Sequence, residues 1–480
     1  MAHVDKLPAV AVVSVTYNRC EPLLVLLRQL RELDFEANGL DVYLVDNAST
    51  DDTVARVCAE FPHVQLVLNH DNAGVAAGFN RSIRTALAAA REYKYLWLLD
   101  SDAEVEPATL RSLVTAMEGD ADLGVVGSSV YDPNARSRLV TAGLRVDWSK
   151  GDIPLLVPDG ASSGALLDVD LVPACSMLTR AAIYPKVGFW DTRFPLYWGD
   201  TDWCARVLAA GARVCCAVSS RVWHRDWSSV IRGFGATIFI RDHVRGGLLF
   251  YLRHDPRQSL GSARRLLWKT YLRAALESLT LRRGFRRAYL AAVHDILSGH
   301  FEGRISGPDN EPPLQNIELI AAELARILGG RRPRILLNQL PDQSQRQRIR
   351  ATVERHCGGV DWLEIEPVID SSGDWSEYRA FKPAQVLAHI GRMWRGMRNI
   401  DVNFSSISRP LLYNVFAGRH AVLLDSADYG VIEQNSVMAS LYEAASTIFS
   451  GLKAAYSSLP HARRSSDGLR AAIAGGDVRK

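Results

Sequence analysis

The sequence predicts an α/β protein: an open, mostly parallel sheet, then a helical region, then a smaller C-terminal α/β region. Three observations predict it. Short apolar runs alternate with helical patterns through the first part of the chain, in the manner of βαβ units. Runs such as Val10-Ala11-Val12-Val13 are apolar throughout instead of alternating, as strands covered on both faces are. Successive runs end in polar residues, and parallel α/β sheets bind ligands at the carboxyl ends of their strands.

The elements follow in order. Ala9 to Val15 reads as a strand, Pro22 to Leu33 as a helix, Val42 to Val45 as a strand, Thr53 to Glu60 as a helix and Val64 to Leu68 as a strand. A helix from Gly74 to Glu92 leads into the strand Tyr95 to Leu99, and Pro107 opens another helix at a favoured first position. Beyond Ser129 the pattern is irregular: strand-like pieces at Asp168 to Val172 and Arg213 to Val218 frame a helix from Thr201 to Ala210, which Gly211 terminates. From Asp255 to Leu297 the chain is helical and basic, with Arg282, Arg283, Arg286 and Arg287 among aromatic residues. Gly303 to Pro313 reads as a linker. Past it, Arg334 to Leu337 and Trp362 to Ile365 read as strands, Ala421 to Asp425 and Gly430 to Glu433 as a hairpin, Val437 to Tyr456 as a helix, and His461 to Lys480 as a frayed tail.

The chain has 480 residues, 48% of them hydrophobic, enough for two or three domains, and its formal net charge is only +3. No stretch is apolar enough to span a bilayer, and Met1 to Pro8 lacks the apolar core of a signal peptide, so a cytoplasmic protein is expected. Seven cysteines without a CxxC pair give neither a disulfide framework nor a zinc signature; adjacent Cys215 and Cys216 read as buried thiols in a strand. There is no GxGxxG after a strand and no Walker A sequence, which excludes the common dinucleotide and P-loop readings.

Asp100, Ser101 and Asp102 put two carboxylates one residue apart at a strand's end. Hard cations such as Mg²⁺ or Mn²⁺ take oxygen ligands from one or two carboxylates plus substrate phosphates, so this pair suits a metal-diphosphate. Thr16, Tyr17, Asn18 and Arg19 follow the first strand, Asp46 and Asn47 the second, and Asn72 and Gly74 the third, so polar groups converge on one sheet edge. Asp46 is placed either to accept from a pyrimidine N3–H or to close an Asx turn with Asn47. Gly74 and Gly78 allow either close approach of backbone to a ligand or helix packing.

From Ala9 to Arg241 the chain resembles the family-2 glycosyltransferases, which have the GT-A fold and use nucleotide-sugar donors. The resemblance rests on Val15-Thr16-Tyr17-Asn18-Arg19, Val45-Asp46-Asn47-Ala48-Ser49-Thr50-Asp51, Asn72-Ala73-Gly74 through Asn80, Leu99-Asp100-Ser101-Asp102, Trp198-Gly199-Asp200-Thr201-Asp202-Trp203 and Trp223-His224. It implies a Rossmann-like nucleotide-binding half and an acceptor half. The donor would meet Thr16, Tyr17, Asn18, Arg19, Asp46, Asn72, Gly74, Asn80, Asp100, Ser101 and Arg241. Asp100, Asp102 and His224 would hold a divalent cation, and an imidazole ligand favours Mn²⁺ over Mg²⁺. Asp200 matches the family's general base, with Trp198 and Asp202 on the acceptor side. Read without the resemblance, Asp200 sits where an N-cap would open the following helix. The family commonly has an acidic residue before the base; Gly199 stands there in this chain.

Trp223-His224, Trp227-Ser228, the basic helices and Asp425 to Val431 look similar to galactofuranosyltransferases that build bacterial galactan on lipid-linked acceptors, without that group's amino-terminal β-domain. The implied reaction is inverting transfer from UDP-galactofuranose to a lipid-linked glycan in surface polysaccharide synthesis, peripheral on the inner face of the plasma membrane. Rhamnosyltransferases using dTDP-rhamnose share the same core motifs. The competing reading from another class is a non-catalytic nucleic-acid-binding or scaffold protein using the basic segment, against which the near-neutral charge stands. That segment suits an anionic membrane surface or a solvated face packed on the catalytic domain. The expected organisation is a catalytic domain over 1–254, the basic helical segment over 255–302, a C-terminal α/β domain over 314–460 and a tail over 461–480. Self-association is left open.

Overall fold

The computed structural model describes residues 8–35, 40–158, 166–224, 236–255, 260–279, 282–301, 317–330, 332–338, 343–365, 402–406, 420–424, 430–434, 437–460 and 462. Its first unit opens as β1 (Val10–Thr16), α1 (Cys20–Arg31), β2 (Leu40–Asp46), α2 (Thr53–Glu60), β3 (Gln65–Leu68), α3 (Val75–Leu87) and β4 (Tyr95–Asp100). These four strands lie parallel in the order β3-β2-β1-β4. Both faces are covered, as the unbroken apolar runs require: Val10, Val12, Tyr95, Trp97 and Leu99 enter one core, while Ala11, Val13, Leu96 and Leu98 enter the other.

After β4 come β5 (Glu104–Val105), α4 (Thr109–Gly119), β6 (Leu123–Asp132), β7 (Ala135–Thr141), β8 (Leu166–Asp168), β9 (Ser176–Arg180), α5 (Tyr184–Val187), α6 (Gly199–Ala209) and β10 (Arg213–Trp223). The sheet continues past β4 as β9-β6-β10-β5, with β9 antiparallel to β4 and β6, and β10 parallel to β6. This is the GT-A-type sheet that the resemblance implies. Several boundaries differ from the sequence reading. Pro107 lies two residues before α4, because the Thr109 hydroxyl accepts from Glu106 N–H at 3.0 Å and donates to the Arg221 carbonyl at 2.9 Å, fixing the start there. The strand expected over Asp168 to Val172 ends at Asp168. The helix expected to Glu92 ends at Leu87, where Ala88 N–H bonds back to Arg84.

A long helix then follows that the sequence reading missed, α7 (Ala236–His254). With α8 (Gly261–Leu279) and α9 (Arg283–Leu297) it shares an apolar core that includes Phe194 of the first unit. Several basic residues of the segment are engaged inside the protein. Arg282 makes a two-pronged pair with Glu277 at 2.5 and 2.6 Å, and Arg286 donates to Thr447 Oγ1 at 3.3 Å. Arg265, Lys269, Arg273 and Arg287 face solvent. Among the described residues, no helix is long and apolar enough to cross a membrane.

The C-terminal part is a second small sheet. Around it run α10 (Ile317–Leu328), β11 (Arg334–Asn338), α11 (Gln343–Cys357), β12 (Asp361–Ile365), β13 (Val402–Ser406), β14 (His420–Leu424), β15 (Gly430–Gln434) and α12 (Val437–Lys453). The order is β12-β11-β13-β14-β15, parallel except for the expected hairpin of β14 with β15. The helix α12 turns back onto α8: a Cβ on Gly451 would stand 2.6 Å from the Tyr271 ring, so the two helices meet at that glycine. The expected linker and the tail apart from Ala462, together with Trp227, Ser228 and Asp425 to Tyr429, lie outside the described residues.

Candidate active site

Register puts the first site residues side by side. Thr16 pairs with Asp46 across β1 and β2, and Val15 pairs with Asp100 across β1 and β4, so three strand ends deliver their polar residues to one edge. Asp46 is 2% exposed; its Oδ2 accepts from Ser49 N–H at 2.8 Å, and its Oδ1 is buried without a protein partner. One oxygen thus closes the local turn, and the other is left available to a ligand. The Thr16 hydroxyl is likewise buried without a partner. Buried polar atoms are nearly always bonded, so two orphans at one sheet edge mark a place for a ligand's polar groups.

The turn after β1 is fixed by Asn18, whose φ of 51° is left-handed and whose Oδ1 accepts from Thr50 N–H at 2.7 Å. Tyr17 and Arg19 stay exposed beside it. Asn47 Nδ2 donates to the Gly74 carbonyl at 3.1 Å and to Asn72 Oδ1 at 3.4 Å, tying the β2 and β3 loops together.

The carboxylate pair gains its third member through the edge strand. Immediately after Asp102, β5 turns back to pair antiparallel with the end of β10, Glu104 opposite Trp223, and so brings His224 to Asp102. His224 Nε2 lies 3.2 Å from Asp102 Oδ1 and 3.4 Å from Asp100 Oδ2. One ligand atom from each of the three can lie within 4.8 Å of the others. Burial pushes the Asp100 carboxyl up to about 6, against the pull of His224. Burial also acts on Asp102, but the His224 hydrogen bond and charge, with Arg19 nearby, hold it below its ordinary value. His224 is raised: desolvation disfavours its charge, and the two carboxylates more than offset that. Two carboxylates and an imidazole converging in this way are a donor set suited to a divalent cation.

Asp200 lies within the first turn of α6, whose cap residue is Trp198, so it is not the N-cap. Its Oδ1 accepts from Thr201 N–H at 2.7 Å and its Oδ2 from Ala174 N–H at 3.4 Å. Burial raises its pKa against those hydrogen bonds, and its charge acts on Asp100, so Asp200 lies near the Asp100/Asp102/His224 cluster. Trp198 holds the left-handed φ of 71° just before it, an unusual conformation for a bulky residue. Gly199 has a steric reason: a Cβ there would stand 2.8 Å from the Trp190 ring.

Other expected ligand contacts are engaged elsewhere. The Asn80 amide clasps the Trp190 backbone, donating to its carbonyl and accepting from its N–H, both at 2.8 Å. Gly74, with φ 89°, makes its close approach to the Pro195 carbonyl, 2.8 Å from where a Cβ would lie, and Gly78 of α3 packs on Val15 of β1. Arg241 pairs with Asp295 through two hydrogen bonds of 2.9 and 3.2 Å. Asp202 does not face an acceptor: it is fully buried, its oxygens 2.9 Å from Arg206 Nε, 3.0 Å from Arg253 Nη1 and 2.8 Å from His254 Nε2. Of these, only the Arg206 spacing of four on a helix was legible in the sequence. Trp198 packs its indole on Gly246 and Gly247 of α7. Cys215 and Cys216 are buried in β10, as expected.

Residues 11–181 match the model for Glycosyl transferase family 2. The N-acetylglucosaminyl-diphospho-decaprenol L-rhamnosyltransferase of Mycobacterium tuberculosis is 25% identical over 296 residues, covering 56% of this chain and 95% of that protein. Among solved structures, S. aureus TarS 1–349 in complex with UDP is similar with a TM-score of 0.41 and 14% identity, over 73% of this chain and 89% of that one. The mannosyltransferase PcManGT from Pyrobaculum calidifontis in complex with GDP-Man and Mn²⁺ gives a TM-score of 0.38 and 18% identity, over 73% and 85%. GalNAc-T7 with UDP, GalNAc and Mn²⁺ gives 0.41 and 15%; the match covers 53% of this chain and 52% of that one, so the chain spans about half of that structure. With the matched span running through β1, β2 and β4 and their terminal carboxylates, this chain carries a family-2 glycosyltransferase domain and is a glycosyltransferase.

Proposed function

We propose that the enzyme is an inverting glycosyltransferase that moves a sugar from a pyrimidine nucleotide-sugar to a lipid-linked glycan acceptor, with Asp200 as general base. The observation that carries this reading is the convergence of Asp46 and the Asp100/Asp102/His224 cluster on one sheet edge, with Asp200 of α6 near Asp100. The orphan Oδ1 of Asp46 accepts the ring N3–H of the base, which uracil and thymine both offer. Asp100, Asp102 and His224 would hold a divalent cation, Mn²⁺ suiting the imidazole best; when bound, such a cation offsets charge on a departing diphosphate.

Asp200 takes the proton from the acceptor hydroxyl as that oxygen attacks the anomeric carbon opposite the diphosphate. The new C–O bond forms as the bond to the diphosphate breaks, and configuration inverts. Burial raises the Asp200 carboxylate's proton affinity toward what such a base needs, while two backbone N–H groups aim it.

Two donors are favoured by different observations: UDP-galactofuranose by the sequence motifs around Trp223-His224, and a rhamnosyl donor, for which dTDP-rhamnose is the candidate, by the rhamnosyl transfer in the name of the Mycobacterium tuberculosis relative. That relative's name also supports a polyprenyl-diphosphate acceptor and hence work at the inner membrane face, with Arg265, Lys269, Arg273 and Arg287 toward solvent. The test is thermal stabilisation and turnover across UDP-, dTDP- and GDP-sugars with Mn²⁺, Mg²⁺ or chelator. Stabilisation by one pyrimidine nucleotide-sugar only with metal supports the reading; metal-independent binding, or binding of GDP-sugars alone, overturns it. Sedimentation with anionic liposomes tests the membrane arm.

A further inference from the structure

Two acids bracket the base in sequence, Asp191 in the loop before α6 and Asp202 on its first turn, and one side chain joins them. Arg253, near the end of α7 and 3% exposed, holds its Nη1 2.7 Å from Asp191 Oδ2 and 3.0 Å from Asp202 Oδ1. The remaining oxygens are also held: Arg206 Nε lies 2.9 Å from Asp202 Oδ2, and Arg193 Nε lies 2.8 Å from Asp191 Oδ1. Arg206 reaches back to the Val187 and Phe189 carbonyls at 2.7 and 3.0 Å. Burial pushes the Asp202 carboxyl up, yet the Arg206 and Arg253 guanidiniums and His254 keep it well below the usual carboxylate range, so it stays ionised.

The rest of α7 holds the same loop. Arg245 donates to the Arg193 carbonyl at 2.6 Å, Asp242 accepts from Tyr197 N–H at 3.2 Å, and Gly246 and Gly247 seat the Trp198 indole. The left-handed backbone at Trp198 persists only where its surroundings over-determine it. Every residue from Asp191 to Asp202 that α7 touches therefore lies within the segment that aims Asp200. A buried ion pair is weak evidence for stability, and its better attested use is to fix one geometry among alternatives.

We propose that Arg253 is a positioning residue for glycosyl transfer: by joining Asp191 to Asp202 it fixes the first turn of α6, and with it the carboxylate of Asp200, setting the rate of transfer without contributing to donor binding. This rests on Asp200 being the base. Misplacing a reacting group by about 1 Å costs on the order of 10²-fold in rate.

The experiment uses the full-length enzyme as wild type, R253M, R253K, D200N and D200N/R253M, with dTDP-rhamnose and UDP-galactofuranose offered as donors and UDP–Mn²⁺ as the binding probe. R253M is expected to lower kcat by about 30- to 100-fold with donor KM and UDP–Mn²⁺ affinity within about twofold. R253K is expected to recover part of the loss, because an ammonium keeps the charge without the planar fork. In the D200N background R253M is expected to cost nothing further, since residues acting through one group are non-additive. Multiplicative losses, or kcat within twofold in R253M, overturn the positioning role and leave Asp200 as base untouched. Wild-type-like transfer by D200N overturns the base instead. Hydrogen exchange of the amides of residues 199–203 needs no substrate: faster exchange in R253M is expected, and unchanged protection counts against the proposal. Should R253M not fold, R253K carries the same comparisons at an intermediate loss.

Discussion

His224 Nε2 stands 3.2 Å from Asp102 Oδ1, although 122 residues of chain separate them. The pairing of Glu104 with Trp223 places both residues just beyond one short antiparallel contact, so the cluster forms only when the edge strand docks. Asp100, 3.4 Å from the same nitrogen, completes it. Protons therefore compete with a cation at this site. Burial lifts Asp100 to about 6 and the two carboxylates lift His224, so both groups bind protons as pH falls through and below neutrality. A group must lose its proton to ligate, so Mn²⁺ affinity is expected to rise with pH from about 5 through neutrality. Titration of Mn²⁺ by calorimetry across that range checks this; affinity flat with pH would contradict it.

Without metal, the same shift has a stability consequence of definite sign. Asp100 binds its proton more tightly in the folded protein than its unfolded value of 3.8, so its contribution falls as pH rises from about 4 to about 6. The melting temperature of Asp100→Asn in chelator is expected to fall less than wild type over that window, as thermal scans at several pH values would show.

Replacing Asp200 by Asn keeps the shape of the side chain and removes the proposed base. Transfer is expected to drop by about 10²- to 10⁴-fold while UDP–Mn²⁺ affinity stays within about threefold. A proportionate loss of nucleotide binding would mean that Asp200 serves the donor instead.

The buried, unpartnered Oδ1 of Asp46 is expected to be read as affinity. Asp46→Ala removes both the Ser49 contact and the acceptor for a base N–H. It should weaken UDP–Mn²⁺ binding by about 1 to 3 kcal/mol, with kcat at saturating donor changed much less. Isothermal titration and a KM-against-kcat comparison separate the two.

Gly199 is a motif position that departs from the resemblance, and Trp190 gives it a steric reason. Gly199→Asp, which restores the acidic residue, forces a side chain against that ring and is expected to destabilise the protein by about 1 to 3 kcal/mol. Urea denaturation measures this; an unchanged midpoint would show that the Trp190 loop yields freely.

Much of the proposed donor side was legible in the sequence because it is local. Thr16, Asp46 and Asp100 end strands whose apolar runs announce themselves, and a parallel sheet brings such ends to one edge whatever the loops between them do. The hairpin of β14 with β15, and the strands β11 and β12, were legible for the same reason.

What only the tertiary structure decided is where long-range partners go. Asn80 and Arg241 carry the chemistry of ligand contacts, yet each met a complementary partner inside the protein, the Trp190 backbone and Asp295. The helix α7 gave no clear periodic signal, being buried on several sides, and its Arg253 became the link between Asp191 and Asp202. The basic segment looked like a surface for anions until packing engaged Arg282 with Glu277 and Arg286 with Thr447. Residue type and spacing fix what a side chain can bond and which strand end it occupies. Which of several available partners it bonds depends on contacts between segments far apart in the chain, and these form only when the cores close.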